Sequence, residues 1–331
     1  MKPPVRIAIL EKHGGLLTWH HDLAAGFRAC GAVVFPINLR VSNWSEFVEK
    51  RCHPSTSIHN IKIQARIATE LAACQPNLVV VLNRAGLPAA AAELWRSALP
   101  AATPIVGWLC DHMGTLPPDE IPAFDGLYYF DSASHPYMAA IYAKTRARLA
   151  HLPLAVNQTR FPLRSSPATQ RRPRFVFAGN CTPDRLATIA RLRAMGTPID
   201  VYGPHSGEWR YPWRNRSYSA DSLSRLYAKH LACLNLLQAA NTRNGLNLRV
   251  FEIACSGGIG TYPDVPDLIT CFEPDREILT YRTLDELPTI MTRLQRDLAW
   301  ADTVIKAGRK RVLAKHTYDK RAAQMISDFA L

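Results

Sequence analysis

Arg249 and Glu252 stand three residues apart in a short amphipathic run that follows the polar turn Asn244-Gly245-Leu246-Asn247. Read as a helix over Arg249 to Cys255, that spacing puts the guanidinium and the carboxylate on one face. A glycine-bearing turn lets backbone amides approach an anion, and a helix start aims its free amides at it. Arg249 can neutralise a phosphate, and Glu252 can accept hydrogen bonds from vicinal sugar hydroxyls. Gly245, Asn247 and Leu248 would supply turn geometry and backbone amides. These parts suit a nucleotide diphosphate attached to a sugar. Two plainer readings stand beside this one: Asn244 or Gly245 as an ordinary helix cap, and Arg249 as an ion-pair partner of Glu252.

Asp111 closes the apolar run Ile105-Val106-Gly107-Trp108-Leu109-Cys110. A carboxylate at a strand end can take a proton from an acceptor hydroxyl, which makes Asp111 the preferred general base. It can equally bind the acceptor or cap the next turn. His112, Asp131 and His13 are the alternatives for the base. His13, His20 and His21 cluster near Lys12-His13-Gly14-Gly15, after the first strand. Histidine titrates in the useful range, although each of these three also reads as a structural or surface residue.

The elements that must position these residues alternate between strand and helix patterns, which argues for parallel α/β architecture. The first half reads as strand 5–10, helix 16–30, strand 33–38, helix 61–74, strand 78–82, helix 89–97, strand 105–109, strand 126–130 and helix 136–148. The segment 157–174 is polar and lacks period, with three Pro and five Arg, and reads as a linker. The pattern then restarts with strand 175–178, helix 185–195, strand 199–202, helix 220–230, strand 232–236, helix 249–255, strand 258–261 and helices 284–299 and 301–313. The expected division is an N-terminal acceptor domain 1–156, the linker 157–174, a nucleotide-sugar domain 175–317, and a last helix 318–331 returning to the first domain.

A chain of 331 residues suits two domains, and 47% hydrophobic with 20% charged residues describes a globular protein. The longest aliphatic run, Leu78 to Leu82, is far too short to span a membrane. The N-terminal apolar run reads as a buried strand and not as a signal peptide, so a cytoplasmic location is expected, extending to peripheral contact with an inner membrane face. Eight scattered cysteines without a C-x-x-C pair give no metal or disulfide framework.

The net charge of +13 is concentrated. Residues 157–216 hold eleven Arg against three acids, and residues 303–331 hold seven Lys or Arg against two acids. Such segments attract nucleotide phosphates, an anionic membrane surface or nucleic acid. The plainer alternative is a solvated face. A nucleic-acid-binding or DNA-modifying protein on the same fold is therefore the competing class. In the aromatic-basic loop around Trp209, Arg210, Tyr211, Trp213, Arg214 and Arg216, stacking and phosphate contact compete with ordinary edge packing.

Several runs, Gly245 to Glu252 (G-L-N-x-R-x-F-E), Phe272 to Ile278 (F-E-P-x-x-E-I), Tyr281 and Ala307 to Tyr318 (A-G-R-x-R-V-L-x-x-H-T-Y), occur in order. In these the chain resembles the CgeB-like, spore-maturation subgroup of the GT-B glycosyltransferases, closely over about residues 172–325 and more weakly before them. Trp108-x-x-Asp111 is similar to a W-x-x-D pattern of the same subgroup. The resemblance implies an α/β GT-B fold with two Rossmann-like domains facing across a cleft, and transfer of a hexose or other sugar from a nucleotide-diphosphate sugar to a hydroxyl acceptor. It implies no cofactor beyond the sugar nucleotide as co-substrate, and no metal; the acceptor stays open among a polysaccharide, a glycan, a lipid-linked sugar and a nucleic acid, the last two suggested by the basic segments. By the same resemblance Gly179-Asn180 and Arg185 meet the nucleotide, Gly14 and Gly15 approach the donor, and Tyr202 flanks the base. A Tyr202-Gly203-Pro204 turn is also common punctuation.

Overall fold

The computed structural model describes residues 3–11, 19–41, 44–52, 60–205, 207 and 212–331. Expectations placed on Lys12, His13, Gly14, Gly15 and the loop residues Trp209, Arg210 and Tyr211 lie outside the described residues. The chain divides into an N-terminal unit, Met1–Pro153 with Tyr318–Leu331, and a C-terminal unit, Leu154–Thr317.

The N-terminal unit contains strands β1 (Arg6–Glu11), β2 (Val33–Asn38), β3 (Leu78–Leu82), β4 (Leu87–Pro88), β5 (Ile105–Leu109), β6 (Glu120–Ile121), β7 (Gly126–Tyr129) and β8 (Arg148–His151). Between them run helices α1 (Trp19–Ala29), α2 (Trp44–Cys52), α3 (Ile61–Cys74), α4 (Ala89–Ala98) and α5 (His135–Tyr142). Six strands form one parallel sheet in the order β2-β1-β3-β5-β7-β8, while β4 and β6 pair antiparallel. β3 and β5 lie inside the sheet and every residue of both is buried, which is why they read as continuous apolar runs. Pro36 falls in β2, an edge strand, where a missing N–H costs no ladder bond. Asn60 caps α3 by accepting from the amides of Lys62 and Ile63, both at 3.1 Å.

The C-terminal unit contains β9 (Arg172–Ala178), α6 (Pro183–Ala194), β10 (Ile199–Tyr202), α7 (Ala220–Lys229), β11 (His230–Leu234), α8 (Leu248–Cys255), β12 (Gly260–Pro263), α9 (Leu268–Cys271), β13 (Leu279–Tyr281), α10 (Glu286–Arg296) and α11 (Leu298–Lys315). Its five strands are parallel in the order β10-β9-β11-β12-β13. Both sheets thus place the first strand of the unit between the second and third. In a sheet wound this way the strand order reverses beside the first strand, and ligands settle outside the carboxyl ends there.

The segment 157–174 is packed as part of the C-terminal unit and is not a free linker. Phe161 and Ala168 are buried, the Ala168 amide donates to Asp302 (2.9 Å), and Arg171 donates to the carbonyls of Ser166 and Gly257. Of the arginines that make the segment look solvated, Arg171 is a partner for backbone acceptors, while Arg164 pairs with Asp221 and Arg174 with Asp200. The final helix α12 (Tyr318–Asp328) packs on α1 in the N-terminal unit. Asp328 accepts from the Tyr128 hydroxyl at 2.8 Å and pairs with Arg148 at 2.7 Å. Gly26 is the contact point on α1, where an added Cβ would overlap the Tyr318 carbonyl.

Other departures are local. The expected helix 136–148 ends at Tyr142, and its last residue instead starts β8. Helix α2, strand β13 and the β4–β6 pair were not foreseen, and β11 begins at His230, two residues before the expected start.

Candidate functional site

In the C-terminal unit the reversal point lies between β9 and β11. Residues Gly179-Asn180 leave β9, and Asn235-Leu236 leave β11. Arg185, on α6, bridges the two exits: Nη1 donates to the Asn180 carbonyl at 3.1 Å and Nη2 to the Leu236 carbonyl at 2.9 Å. Burial is the main cause that lowers the Arg185 pKa, and the like charge of Arg249 lowers it further.

Arg249 enters the same place from α8. Its guanidinium rests on Gly179, and an added Cβ there would lie 2.8 Å from Nη1 and 3.1 Å from Cζ. The Nε atoms of Arg185 and of Arg249 are both buried without a hydrogen-bond partner. Two guanidinium groups that repel each other, each with an unmet donor, form a surface an anion would relieve.

The start of α8 adds backbone donors. Asn247 is its N-cap residue by conformation, yet its side chain makes no capping bond to the helix. It exchanges a reciprocal pair of 2.9 Å hydrogen bonds with Asn235 instead. This correction changes its role: the Asn247 amide is also engaged, donating to the Tyr262 hydroxyl at 3.2 Å, so Asn247 positions the turn and offers no free amide. Gly245 is buried, with its carbonyl accepting from Tyr262 at 3.1 Å. The Asn244 carbonyl accepts from the Asp267 amide at 3.1 Å. Leu248 and Arg249 are the first two residues of the helix, in the turn where amides point outward.

Glu252, one turn along α8, is half-buried. Arg249 and Glu252 both act on Tyr227: burial first raises that phenol's pKa, Arg249 opposes the rise and Glu252 adds to it. The pair therefore shares one face of α8, as the three-residue spacing predicts.

The remaining pieces of the sequence pattern hold α8 from behind. Phe251, Phe272 and His316 form a ring cluster with centroids 5.2–5.7 Å apart, and His316 Nε2 contacts the Cys271 carbonyl at 2.9 Å. Arg311 bonds Glu277 at 2.7 Å, and Arg309 donates to the Cys255 carbonyl at the end of α8. Tyr202 differs from expectation. It is 8% exposed, packs with Tyr218 and His230, and carries Arg214 over its ring at 4.9 Å. A side chain so enclosed belongs to the core and has no face left for a nucleobase.

In the N-terminal unit the reversal point lies between β1 and β3, and the carboxyl ends present Glu11, Asn83 and, beyond β5, Asp111. Asn83 adopts a left-handed φ of 55° and donates to Asp111 Oδ2 at 3.0 Å, while accepting from the amides of Cys110 and Asp111. Burial raises the Asp111 pKa and this bond opposes the rise. Glu11, the last residue of β1, is a further site carboxylate that its residue type and spacing do not single out. Burial first, and then the charge of Asp22, raise its pKa to about 7, against the lowering effect of the His20 amide, which donates at 2.9 Å. His20 Nδ1 also contacts the Glu11 carboxylate. Only its position before Lys12-His13-Gly14-Gly15 marked Glu11. Asp131 is fully buried and accepts from the Ala133 amide as a turn cap, and His112 contacts Ser134 Oγ at 3.1 Å. Both read as local structure.

Among the described residues, no three His, Cys, Asp or Glu side chains gather as a metal-binding group. No helix among them is long and apolar enough to cross a membrane.

Comparison with known proteins adds to this geometry. A family model described as glycosyl transferase-like matches residues 185–327, a span that starts at Arg185 and includes Arg249 and Glu252. No curated protein matches the sequence. Among solved structures, sucrose-phosphate synthase from Thermosynechococcus elongatus is 13% identical with a TM-score of 0.64 over 98% of each chain. A glycosyltransferase from Rickettsia africae is 11% identical with a TM-score of 0.66, again over 98% of each chain. HepE from Anabaena, in complex with UDP and glucose, is 11% identical with a TM-score of 0.63 over 98% of this chain and 100% of its own. The chain shares the α/β fold of these proteins, the GT-B class.

Proposed function

We propose that this chain is a glycosyltransferase that moves a sugar from a nucleotide-diphosphate sugar to a hydroxyl acceptor. The observation that carries this reading is the approach of Arg185 and Arg249 at the reversal point of the C-terminal sheet, each with an unmet buried Nε. The family match over the same residues supports it.

The leaving diphosphate gains charge as the glycosidic bond breaks, and fixed cations act most where charge develops. Arg249 and Arg185 supply that charge beside the first-turn amides of α8. Glu252, on the Arg249 face, accepts from vicinal hydroxyls of the donor. Asp111 serves as the base for the acceptor hydroxyl, with Asn83 fixing its orientation. Two guanidinium groups at the diphosphate remove the need for a divalent ion, so turnover proceeds in the presence of a chelator. The ordered runs Gly245–Glu252 and Phe272–Ile278, which frame α8, support placement in the CgeB-like subgroup.

The test is release of free nucleotide diphosphate from UDP-, GDP- and dTDP-sugars, with and without EDTA. Release from one class of donor, unchanged by EDTA and abolished by Arg249→Ala, is expected. Absence of release and of nucleotide binding for all three would reject the reading.

A further inference from the structure

We propose that Asn235 and Tyr262 are positioning residues for the diphosphate site, clamping the turn before α8 to the sheet edge and fixing where Arg249 stands relative to Arg185. This inference rests on the proposed diphosphate role of Arg185 and Arg249. Asn235 leaves β11 and is 1% exposed, and Tyr262 lies in β12 and is fully buried. The Asn235 side chain exchanges two 2.9 Å hydrogen bonds with Asn247, the residue before α8. The Tyr262 hydroxyl accepts from the Asn247 amide at 3.2 Å and donates to the Gly245 carbonyl at 3.1 Å, so it holds both ends of the Gly245–Asn247 turn.

Asn235 is itself fixed. Its amide donates to the Thr261 carbonyl of β12 at 3.1 Å, and its carbonyl accepts from the Tyr281 hydroxyl of β13 at 3.1 Å. The next residue, Leu236, offers the carbonyl that accepts from Arg185 Nη2 at 2.9 Å. A short path therefore joins the two guanidinium groups: Arg185 to Leu236, Leu236 to Asn235, Asn235 to Asn247, and Asn247 to Arg249 two residues on. Burial lowers the Arg185 pKa first, and Tyr262 is among the groups that oppose the fall, so the phenol acts on Arg185 as well as on the turn. Phenylalanine would fill the place of Tyr262, and an aliphatic residue that of Asn235. What the polar atoms add is direction. Buried polar groups whose bonds are completed hold one arrangement where apolar packing tolerates several. A group of a reactive site displaced by about 1 Å can cost on the order of a hundredfold in rate, which gives that rigidity a use here.

The test is titration calorimetry of the full chain with UDP, GDP and dTDP, in wild type, Arg249→Ala, Tyr262→Phe, Asn235→Leu, and each of the last two combined with Arg249→Ala. Thermal unfolding that stays cooperative establishes that each variant is folded. Tyr262→Phe, which loses one oxygen, keeps the proposal testable where Asn235→Leu does not fold. The diphosphate that wild type binds best is expected to weaken at least about tenfold in each single variant. That loss should shrink to less than about twofold when Arg249 is already alanine. A residue that only supports the fold would give the same loss in both backgrounds, because independent effects add. Unchanged affinity in a folded single variant, or an undiminished loss without Arg249, would overturn the proposal. Wild type that binds none of the three, or Arg249→Ala that binds as wild type does, would instead remove the diphosphate reading and the proposal with it.

Discussion

The guanidinium of Arg249 lies directly on Gly179, so that a methyl group at position 179 would stand 2.8 Å from Nη1. This contact joins the exit of β9 to the first turn of α8. Gly179→Ala is expected to push the guanidinium aside and weaken binding of the nucleotide diphosphate by about tenfold, some 1.4 kcal/mol. Chemical denaturation should show a stability change of less than about 1 kcal/mol, because the group that must move is the end of a flexible side chain. Unchanged affinity would mean that Arg249 does not act from this position.

Glu252→Gln separates the sugar hydroxyls from the phosphates. Loss of charge-assisted hydrogen bonds worth about 1.5–3 kcal/mol should weaken nucleoside and nucleotide binding alike, and leave pyrophosphate binding at the wild-type level. Titration calorimetry with the three ligands checks this. Weakening confined to pyrophosphate would assign Glu252 to the phosphate side.

Glu11 gives a signature in pH. Its pKa is raised from 4.5 to about 7 in the folded chain, mainly by burial. Between those values the folded state keeps a proton that the unfolded state releases, so stability falls as pH rises through the window. The full contribution is about 3 kcal/mol. Glu11→Gln cannot ionise and should lack this slope. Denaturant unfolding of both proteins at pH 5 and pH 8 should therefore show the variant gaining relative to wild type as pH rises. A constant difference would mean that Glu11 titrates in its ordinary range.

Gly26→Ala probes the docking of the last helix, since the new Cβ would overlap the Tyr318 backbone. Overpacking of this kind costs about 1–3 kcal/mol. A lowered Tm, with proteolysis beginning in residues 318–331, is expected. A variant with wild-type Tm and proteolytic resistance would show that the α1–α12 contact is not tight.

These contacts also mark what the sequence could and could not reveal. β3 and α3 were legible because a fully buried strand must be apolar throughout and an amphipathic helix shows its period. Arg249 and Glu252 were legible as a pair because they sit on one helix. The approach of Arg185 to Arg249 spans two separate helices, and no spacing announces it. β8 is an edge strand with no fully buried residue, so it lacks the apolar run that would have set it apart from the helix before it. The segment 157–174 looked like a linker because arginine and proline usually mark solvated chain, yet Arg171 is consumed by carbonyls of its own unit. Glu11 looked ordinary because its proton affinity is made by burial under residues distant in sequence. Asn247 was expected to offer an amide, and only the fold shows that Tyr262 already takes it.

The central claim is that Arg249 and Arg185 hold a diphosphate at the carboxyl edge of the C-terminal sheet. Calorimetric titration of Arg249→Ala with UDP, GDP and dTDP, each beside its free nucleoside, tests it most directly. The account predicts that the diphosphate that binds best loses at least about tenfold in affinity while its nucleoside is unaffected. Equal affinity of variant and wild type for that diphosphate would contradict the account.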